Sequence, residues 1–299
     1  MIIGTRASPL AIAQAMIVAR KLRRKNREIT VLIRKIVAEG DLKIKYKSSL
    51  AGKELFTKKI DEALIRKEID IAVHSLKDVP VETTNEDKIE IAAYPKREDP
   101  ADILISKKKH NLKDIPNGSR IGTSSVRRAI QLKNVRSDLK IVDLHGNVGT
   151  RLNRLKDSKL DAIVLAKAGL KRLGYHKLGT RIPFELMLPA PGQGCLAVSI
   201  RADDSRSRSL VTSIDHKETR IAATAERAFS KYLGGGCNTP VAAYAQVTKG
   251  KLQLEGLIQG AKSSRIVVRG NKVGSTKDPI GLGRSLAAQL KAVVDKRRN

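Results

Sequence analysis

The chain has 299 residues, enough for two or three domains, and its 41% of hydrophobic residues excludes a wholly disordered protein. Its apolar runs are too short to cross a membrane, and its N-terminus lacks the layout of a secretory signal. Lys and Arg exceed Asp and Glu by 29 charges spread along the chain, which favours nucleic acid, anionic lipid or a small polycarboxylate as partner. Two cysteines form neither a disulfide framework nor a usual zinc site, so we expect a cytoplasmic protein without a metal.

Strands and helices are predicted to alternate along the first two thirds of the chain. After a short strand, Ser8 and Pro9 provide the N-cap and first position of a helix that runs to about Lys25. Further strands are predicted at 29–37, 69–75, 88–94, 119–125, 140–146 and 161–166, and further helices at 54–68, 126–135, 150–157 and 167–174. A Pro/Gly-rich stretch, 186–201, leads into one more strand. The pattern breaks and restarts at the proline-bounded segment 95–100. These two arrays predict two α/β domains rich in parallel strands, with ligands at the carboxyl ends of the strands.

The residues after Lys217 follow a different pattern. A long helix at 217–233 is followed by three alternating strands at 241–247, 251–258 and 265–270, and then by a helix from Pro279. This order predicts an α+β unit in which helices cover one face of a three-stranded antiparallel sheet.

The segment His74–Pro80 ends a buried apolar strand, which is where sites form in α/β sheets. Asp78 there suits a charge-stabilising carboxylate or a general base. The alternative is an ion pair between Asp78 and Lys77, and this motif alone favours it. His74 is interpreted as a packed structural histidine.

Three successive strand ends carry cations. Gly122–Arg128 joins a strand to a helix N-terminus, where hydroxyls, free N–H groups and two arginines form an anion cradle. His145–Arg151 repeats this arrangement, and Lys167, Lys171 and Arg172 follow the third strand. The repetition predicts a carboxylate or phosphate site, with solvated surface as the alternative; no P-loop or GxGxxG turn supports nucleotide binding.

Cys237 follows three glycines, Gly234–Gly236, after the predicted long helix. The glycines leave the thiol unshielded, which suits nucleophilic or attachment chemistry. A helix C-cap followed by a passive cysteine is an equally good interpretation of these residues.

These motifs together resemble one family. The chain contains, in order, GTRASPLAIAQ, HSLKDVP, KREDPADILI, GTSSVRRAIQL, GNVGTRL, DAIVLAKAGLKRLG, LPAPGQG and GGGCNTPVAAYA. This order is similar to that of the porphobilinogen deaminases (hydroxymethylbilane synthases), and the likeness runs from Gly4 to about Ala245.

The resemblance implies a transferase that joins four porphobilinogen units, with release of ammonia, into the linear tetrapyrrole hydroxymethylbilane. It implies a dipyrromethane cofactor bound through a thioether to Cys237, a monomer, and no nucleic-acid or membrane partner. It also implies three domains: two periplasmic-binding-protein-like α/β domains and a C-terminal α+β domain with the cysteine. We expect residues 1–95 and 194–213 in the first, 96–193 in the second and 214–299 in the third.

The resemblance also implies roles for single residues. Asp78 matches the catalytic aspartate, and cations match positions that hold the acetate and propionate groups of each pyrrole. The cofactor-binding set is Cys237, Lys77, Asp78, Thr123, Ser124, Ser125, Arg127, Arg128 and Arg151. The substrate-binding set is Arg6, Ser8, Phe56, His145, Arg151, Arg172 and Gln193.

Four positions depart from the family pattern. His145 stands where an arginine usually binds a substrate carboxylate, and either His145 or a neighbouring cation takes that role here. Glu54 replaces a lid glycine, and Ser199 replaces a glutamate. Cys195 stands where alanine is usual, and we expect it to be a small packed residue, not a second attachment point.

Two other classes fit parts of the sequence. A non-catalytic solute-binding module shares the α/β halves but has no need of the GGGC loop. A nucleic-acid binder accounts for the charge, but aromatic residues make up only 3% of the chain and no recognition motif is present. Intact-mass spectrometry separates the three classes, because only a deaminase carries a covalent dipyrromethane.

Overall fold

The computed structural model describes residues 1–37, 54–81, 85, 87–157, 159–234, 240–260 and 266–297. Its strands are β1 (Ile2–Arg6), β2 (Leu32–Ile36), β3 (Ile71–Ser75), β4 (Ile89–Ala93), β5 (Asp102–Ser106), β6 (Arg120–Gly122), β7 (Lys140–Val142), β8 (Ala162–Ala166), β9 (Thr180–Arg181), β10 (Leu196–Arg201), β11 (Val241–Thr248), β12 (Lys251–Gln259) and β13 (Val267–Ser275). Its α-helices are α1 (Pro9–Lys25), α2 (Glu54–Ile65), α3 (Val126–Val135), α4 (Val148–Asp157), α5 (Lys167–Arg172), α6 (Ser205–Thr212), α7 (Lys217–Tyr232) and α8 (Pro279–Lys296).

The strands form three sheets. The first has the order β2-β1-β3-β10-β4, the second β7-β6-β8-β5-β9, and the third β11-β12-β13. The third sheet is antiparallel throughout. The described residues thus form two α/β units and a C-terminal α+β unit, which confirms the predicted fold class.

The prediction of parallel-rich sheets holds for four strands of each five-stranded sheet, and the remaining strand runs in the opposite direction. β1 pairs in parallel with β2 and β3, but β10 runs antiparallel to β3 and β4. In the second sheet β6 pairs in parallel with β7 and β8, whereas β5 runs antiparallel to β8 and β9. A buried apolar run has the same pattern in either direction, so the sequence does not reveal that β5 and β10 run against their neighbours.

Helix boundaries follow local capping signals. Ser8 accepts a hydrogen bond from the Ala11 amide and Pro9 occupies the first turn, so α1 begins where the sequence predicts. Ser125 caps α3 in the same way by accepting from the Arg128 amide. The cap of α3 therefore lies inside the predicted anion cradle.

Three elements have no counterpart among the predicted ones: β5, β9 and α6. β5 is an apolar run that begins with an aspartate, directly after the proline-bounded segment. α6 begins after Asp204, whose carboxylate caps the Ser207 amide, but four of its eight residues are serine or threonine and give no clear helical period.

Each unit has its own apolar core. In the first unit, α1 packs Val18 and Leu22 against strand residues such as Val73 and Val198. In the third, Phe229 of α7 lies with residues of α8 and of all three strands. The opposite face of that sheet contacts Leu188 and its neighbour Phe184, so the third unit packs against the end of the second. Within the described residues, no helix is long and apolar enough to cross a membrane.

Candidate active site

A buried carboxylate, Asp102 at the start of β5, joins the two arginines of the predicted anion cradle. Arg127 donates from Nη2 to Asp102 Oδ2 at 2.8 Å, and Arg128 donates from Nη2 to Oδ1 at 2.7 Å. Asp102 has no exposed surface, and the arginines are only 7% and 5% exposed. Burial by itself raises the pKa of Asp102, but the two guanidiniums hold it far below its usual range.

The arginines also donate hydrogen bonds to backbone carbonyl groups of the second unit. Arg127 Nη1 donates to Leu188 O at 2.6 Å, and Arg128 Nη1 donates to Val164 O at 2.9 Å. Most of their donors are therefore used within the protein. What they offer a ligand is chiefly a fixed positive field, since two guanidiniums face one carboxylate.

Lys77 and Asp78 form a 3-10 turn (Leu76–Asp78) at the carboxyl end of β3, beside these arginines. Lys77 Nζ donates to Gln193 Oε1 at 3.4 Å, and Gln193 Nε2 donates to Asp102 Oδ1 at 3.0 Å. Burial, partly offset by Asp78, lowers the pKa of Lys77 to about 8. Gln193 thus links the lysine of the first unit to the arginine cluster of the second.

The three hydroxyl residues before α3 have local partners. Thr123 Oγ1 accepts from the Ser125 amide at 3.2 Å, and Ser124 donates to Leu144 O at 2.9 Å. The hydroxyls shape the turn that leads into α3, next to Arg127 and Arg128.

Arg151 of α4 lies close enough to feel the charges of Arg128, Asp78 and Asp143. Its Nε donates to Gly146 O at 2.7 Å. Burial and Arg128 lower the pKa of Arg151 to about 10, so the guanidinium remains charged at neutral pH. The structure therefore brings Arg151 together with Arg128 and Asp78.

His145 lies at the edge of this cluster. Its Nε2 is 2.8 Å from Asp143 Oδ2, and the two side chains are 65% and 69% exposed. The carboxylate of Asp143 therefore already contacts the ring nitrogen of His145 that a substrate carboxylate would need.

Arg172 and Ser8 have clear local roles. Arg172 Nη2 donates to Gly194 O at 2.6 Å, and burial lowers the pKa of Arg172. Ser8 caps α1. Arg6 is the last residue of β1. Burial is the main cause that lowers the pKa of His74 to about 4, and the positive charge of Arg6 contributes to the same shift. His74 is 6% exposed in β3, as expected of a packed histidine.

Two predicted site residues lie outside what the structure describes. Cys237 falls in the range 235–239, and Phe56 belongs to α2 but its side chain is outside the described part. Cys195 is described and is 1% exposed. Burial raises the pKa of its thiol to about 11, which agrees with a packed residue and opposes reactivity.

Sequence reasoning missed Asp102 and the buried pair of Arg97 with Glu226. Asp102 stands in an apolar run, DILIS, where a charge needs a partner, and this was a usable signal. Glu226 lies on an apolar stripe of α7 and is fully buried, and Arg97 donates to it at 2.6 Å. Asp102 lies 25 and 26 residues from its arginine partners, and Glu226 lies 129 residues from Arg97, so spacing alone does not reveal these contacts.

Comparisons with known proteins agree with one family along the chain. Residues 1–209 match the family described as porphobilinogen deaminase, dipyromethane cofactor binding domain, and residues 220–292 match porphobilinogen deaminase, C-terminal domain. A porphobilinogen deaminase of Roseiflexus sp. (strain RS-1) is 44% identical over 292 residues, which is 97% of this chain and 95% of the relative. One of Carboxydothermus hydrogenoformans is 42% identical over 97% of this chain and 93% of the relative.

Solved structures give weaker likenesses. The methionine binding protein MetQ has a TM-score of 0.44 and 15% identity, covering 79% of this chain and 96% of that one. An ancestral cationic amino acid solute binding protein has a TM-score of 0.44 and 14% identity, covering 71% and 86%.

The fold and the sequence matches define an enzyme of tetrapyrrole biosynthesis, a transferase that uses a dipyrromethane cofactor. The chain belongs to the porphobilinogen deaminase family. Its activity is the polymerisation of porphobilinogen into hydroxymethylbilane.

Proposed function

We propose that Asp78 is the catalytic carboxylate of this polymerisation and that the surrounding cations hold the carboxylates of cofactor and substrate. The observation that carries the proposal is that Lys77 and Arg151 each lie close enough to Asp78, and to Arg128, for their charges to interact. Four porphobilinogen units are joined with release of ammonia at each step.

The residues present fit a dipyrromethane. Each of its two pyrroles carries an acetate and a propionate, and Lys77, Arg127, Arg128 and Arg151 supply positive charge beyond what Asp102 neutralises. When bound, the dipyrromethane supplies the free pyrrole α-carbon to which the first substrate unit is joined. The hydroxyls of Thr123, Ser124 and Ser125 complete the cofactor-binding set that we propose.

Asp78 acts by its charge and its free oxygens. Among the described residues, no side chain or amide donates a hydrogen bond to its carboxylate, so both oxygens can accept pyrrole N–H groups. Positive charge develops on those nitrogens when the new bond forms, and a fixed carboxylate within reach stabilises it. Lys77 and Arg151 place positive charge beside this carboxylate.

The incoming porphobilinogen is proposed to bind at Arg6, Ser8, Phe56, His145, Arg151, Arg172 and Gln193. Support comes from two described cations: Arg6 at the end of β1, and Arg172 at the end of α5, which donates to Gly194 O shortly before β10. Bidentate arginine contacts would fix the two carboxylates of each unit in register.

Cys237 is proposed as the attachment site. The buried thiol of Cys195, with its raised pKa, is unsuited to attack, which leaves Cys237 as the other cysteine of the chain. We propose 1–95 with 194–213, 96–193 and 214–299 as the three domains, supported by the place of β10 between β3 and β4.

A cytoplasmic monomer without nucleic-acid or membrane partners completes the proposal. A thioether requires a reduced thiol, which the cytosol maintains. Light scattering of the purified protein with and without DNA tests it, and a mass of one chain in both samples is expected.

Replacing Asp78 by asparagine tests the proposal. Asp78→Asn keeps the shape but removes the charge, so turnover should fall by about 10²–10⁴-fold while the melting temperature and bound cofactor stay near those of the wild type. Asp203→Asn, an exposed aspartate far along the chain, should keep full turnover. Near-normal turnover of Asp78→Asn would exclude Asp78 from the chemistry.

A further inference from the structure

Glu226 of α7 is a fully buried carboxylate whose two oxygens are shared among three segments. Arg97 donates to it from Nη1 at 2.6 Å and from Nη2 at 3.2 Å. The Gly192 amide donates to Oε2 and the Ala245 amide to Oε1, both at 2.7 Å. A buried charge of this kind is kept only where partners compensate its desolvation, and here every partner is present.

The ion pair makes hydrogen bonds to the backbone of two successive residues, Gly192 and Gln193. Glu226 accepts from the amide of Gly192, and Arg97 Nε donates to Gln193 O at 2.9 Å. If the pair only joined the third unit to the rest of the chain, the contact between Arg97 and Glu226 would be sufficient. The extra hydrogen bonds place the backbone on both sides of the Gln193 nitrogen.

The backbone of this segment has little room to move. Gly192 has a φ of +74°, and a Cβ there would lie 2.9 Å from Leu76 Cγ and 3.2 Å from the Lys77 nitrogen. Gly194 has a φ of +87°, and its Cβ would collide with Glu98 O. Segment 192–194 is therefore seated directly against the turn that carries Lys77 and Asp78.

The Gln193 side chain extends from this fixed backbone into the cation cluster. Its Nε2 donates to Pro100 O at 2.6 Å and to Asp102 at 3.0 Å, and its Oε1 accepts from Lys77. A shift of the 192–194 backbone would move Gln193 and release Lys77 and Asp102 from their shared partner.

We propose that Glu226 is a positioning residue, which fixes segment 192–194 and thereby holds Lys77 against the Asp102 cluster through Gln193. This inference rests on the proposed function, because it assumes that the cluster binds carboxylates during the reaction. The helix α7, which carries Glu226, ends at Tyr232, five positions before Cys237 in the sequence.

A double-mutant cycle tests the inference. Glu226→Gln, Gln193→Ala and the double variant are compared with the wild type for kcat per chain that carries the cofactor. Misplacement of about 1 Å costs up to about 10²-fold, so each single variant should lose about 10–100-fold in kcat. The double variant should match Gln193→Ala, because Glu226 acts through Gln193 and has nothing left to place.

A second readout does not depend on turnover. Intact-mass spectrometry of each preparation gives the fraction of chains with the dipyrromethane addition, and this fraction should fall equally in both single variants. Glu255→Gln is the matched control: Glu255 pairs with Arg269 at 2.6 Å, and Arg269 donates to Phe184 O, so it too joins the third unit to the second. It should keep wild-type occupancy and kcat.

The outcomes are separable. Unchanged kcat and occupancy in Glu226→Gln, or additive losses in the double variant, would overturn the inference while a loss in Asp78→Asn leaves the proposed function standing. An unaffected Gln193→Ala would overturn the inference and remove Gln193 from the proposed site. If Glu226→Gln does not fold, Glu226→Asp keeps the charge on a shorter side chain, and the same cycle applies to it.

Discussion

Burial gives single residues of this site properties that their residue type alone does not. Two guanidiniums lower the pKa of Asp102 and keep it ionised. Lys77 is joined to Asp102 through Gln193, and burial lowers the pKa of its ammonium to about 8. An ammonium with a pKa of about 8 is charged at neutral pH but titrates within the working range of an enzyme.

The lowered pKa of Lys77 predicts that kcat/KM depends on pH. Below about pH 8 its amine is protonated and holds a carboxylate, and the charge is lost as pH rises through that value. In Lys77→Arg the charge persists, so the fall of kcat/KM above about pH 8 should move to higher pH. Profiles from about pH 7 to about pH 10 check this.

Lys133→Arg serves as the control for this profile, because Lys133 is an exposed residue of α3 whose Nζ donates to Ser137 O at 2.9 Å. Its profile should overlay that of the wild type. A Lys77→Arg profile that overlays it as well would show that Lys77 does not set the alkaline limb.

His145 allows a test of the proposed substrate contacts. Its Nε2 lies 2.8 Å from Asp143 Oδ2, and a substrate carboxylate must displace that contact. If His145 binds substrate, His145→Ala should raise KM by about tenfold, with kcat little changed. An unchanged KM in steady-state kinetics would assign the contact to another cation.

At the scale of elements, Ser8 caps α1 and is also a proposed substrate contact. Ser8 accepts from the Ala11 amide at 3.3 Å, so Ser8→Ala should lower the free energy of unfolding by about 1 kcal/mol. Ser8→Asp keeps the cap and should restore stability, but its negative charge should raise KM by repelling substrate carboxylates. Urea unfolding and steady-state kinetics of both variants separate the roles; equal stability of the two variants would contradict the cap.

Elements with a local cause were predictable from sequence. The start of α1 follows from Ser8 and Pro9, and α3 has the predicted bounds, 126–135, because Ser125 is its cap. The directions of β5 and β10 depend on which sheet they join, and no short pattern encodes that. The candidate site was predictable at strand ends, whereas the link from Glu226 through Gln193 was not, because its members are 34 and more residues apart.

At the scale of the whole molecule, the site is an assembly of all three units. Lys77 and Asp78 come from the first, the arginine cluster from the second, and Glu226 from the third. The excess of 29 positive charges suits a protein that holds a growing polycarboxylate, since each added pyrrole brings two more negative groups.

The central claim is that this chain is a porphobilinogen deaminase whose cofactor is attached at Cys237. Intact-mass spectrometry tests it most directly, because a thioether survives denaturation. The wild type and Cys195→Ser should each carry the added mass of one dipyrromethane, and Cys237→Ser should have the mass of the bare chain. An adduct on Cys237→Ser, or a wild type without one, would contradict the account.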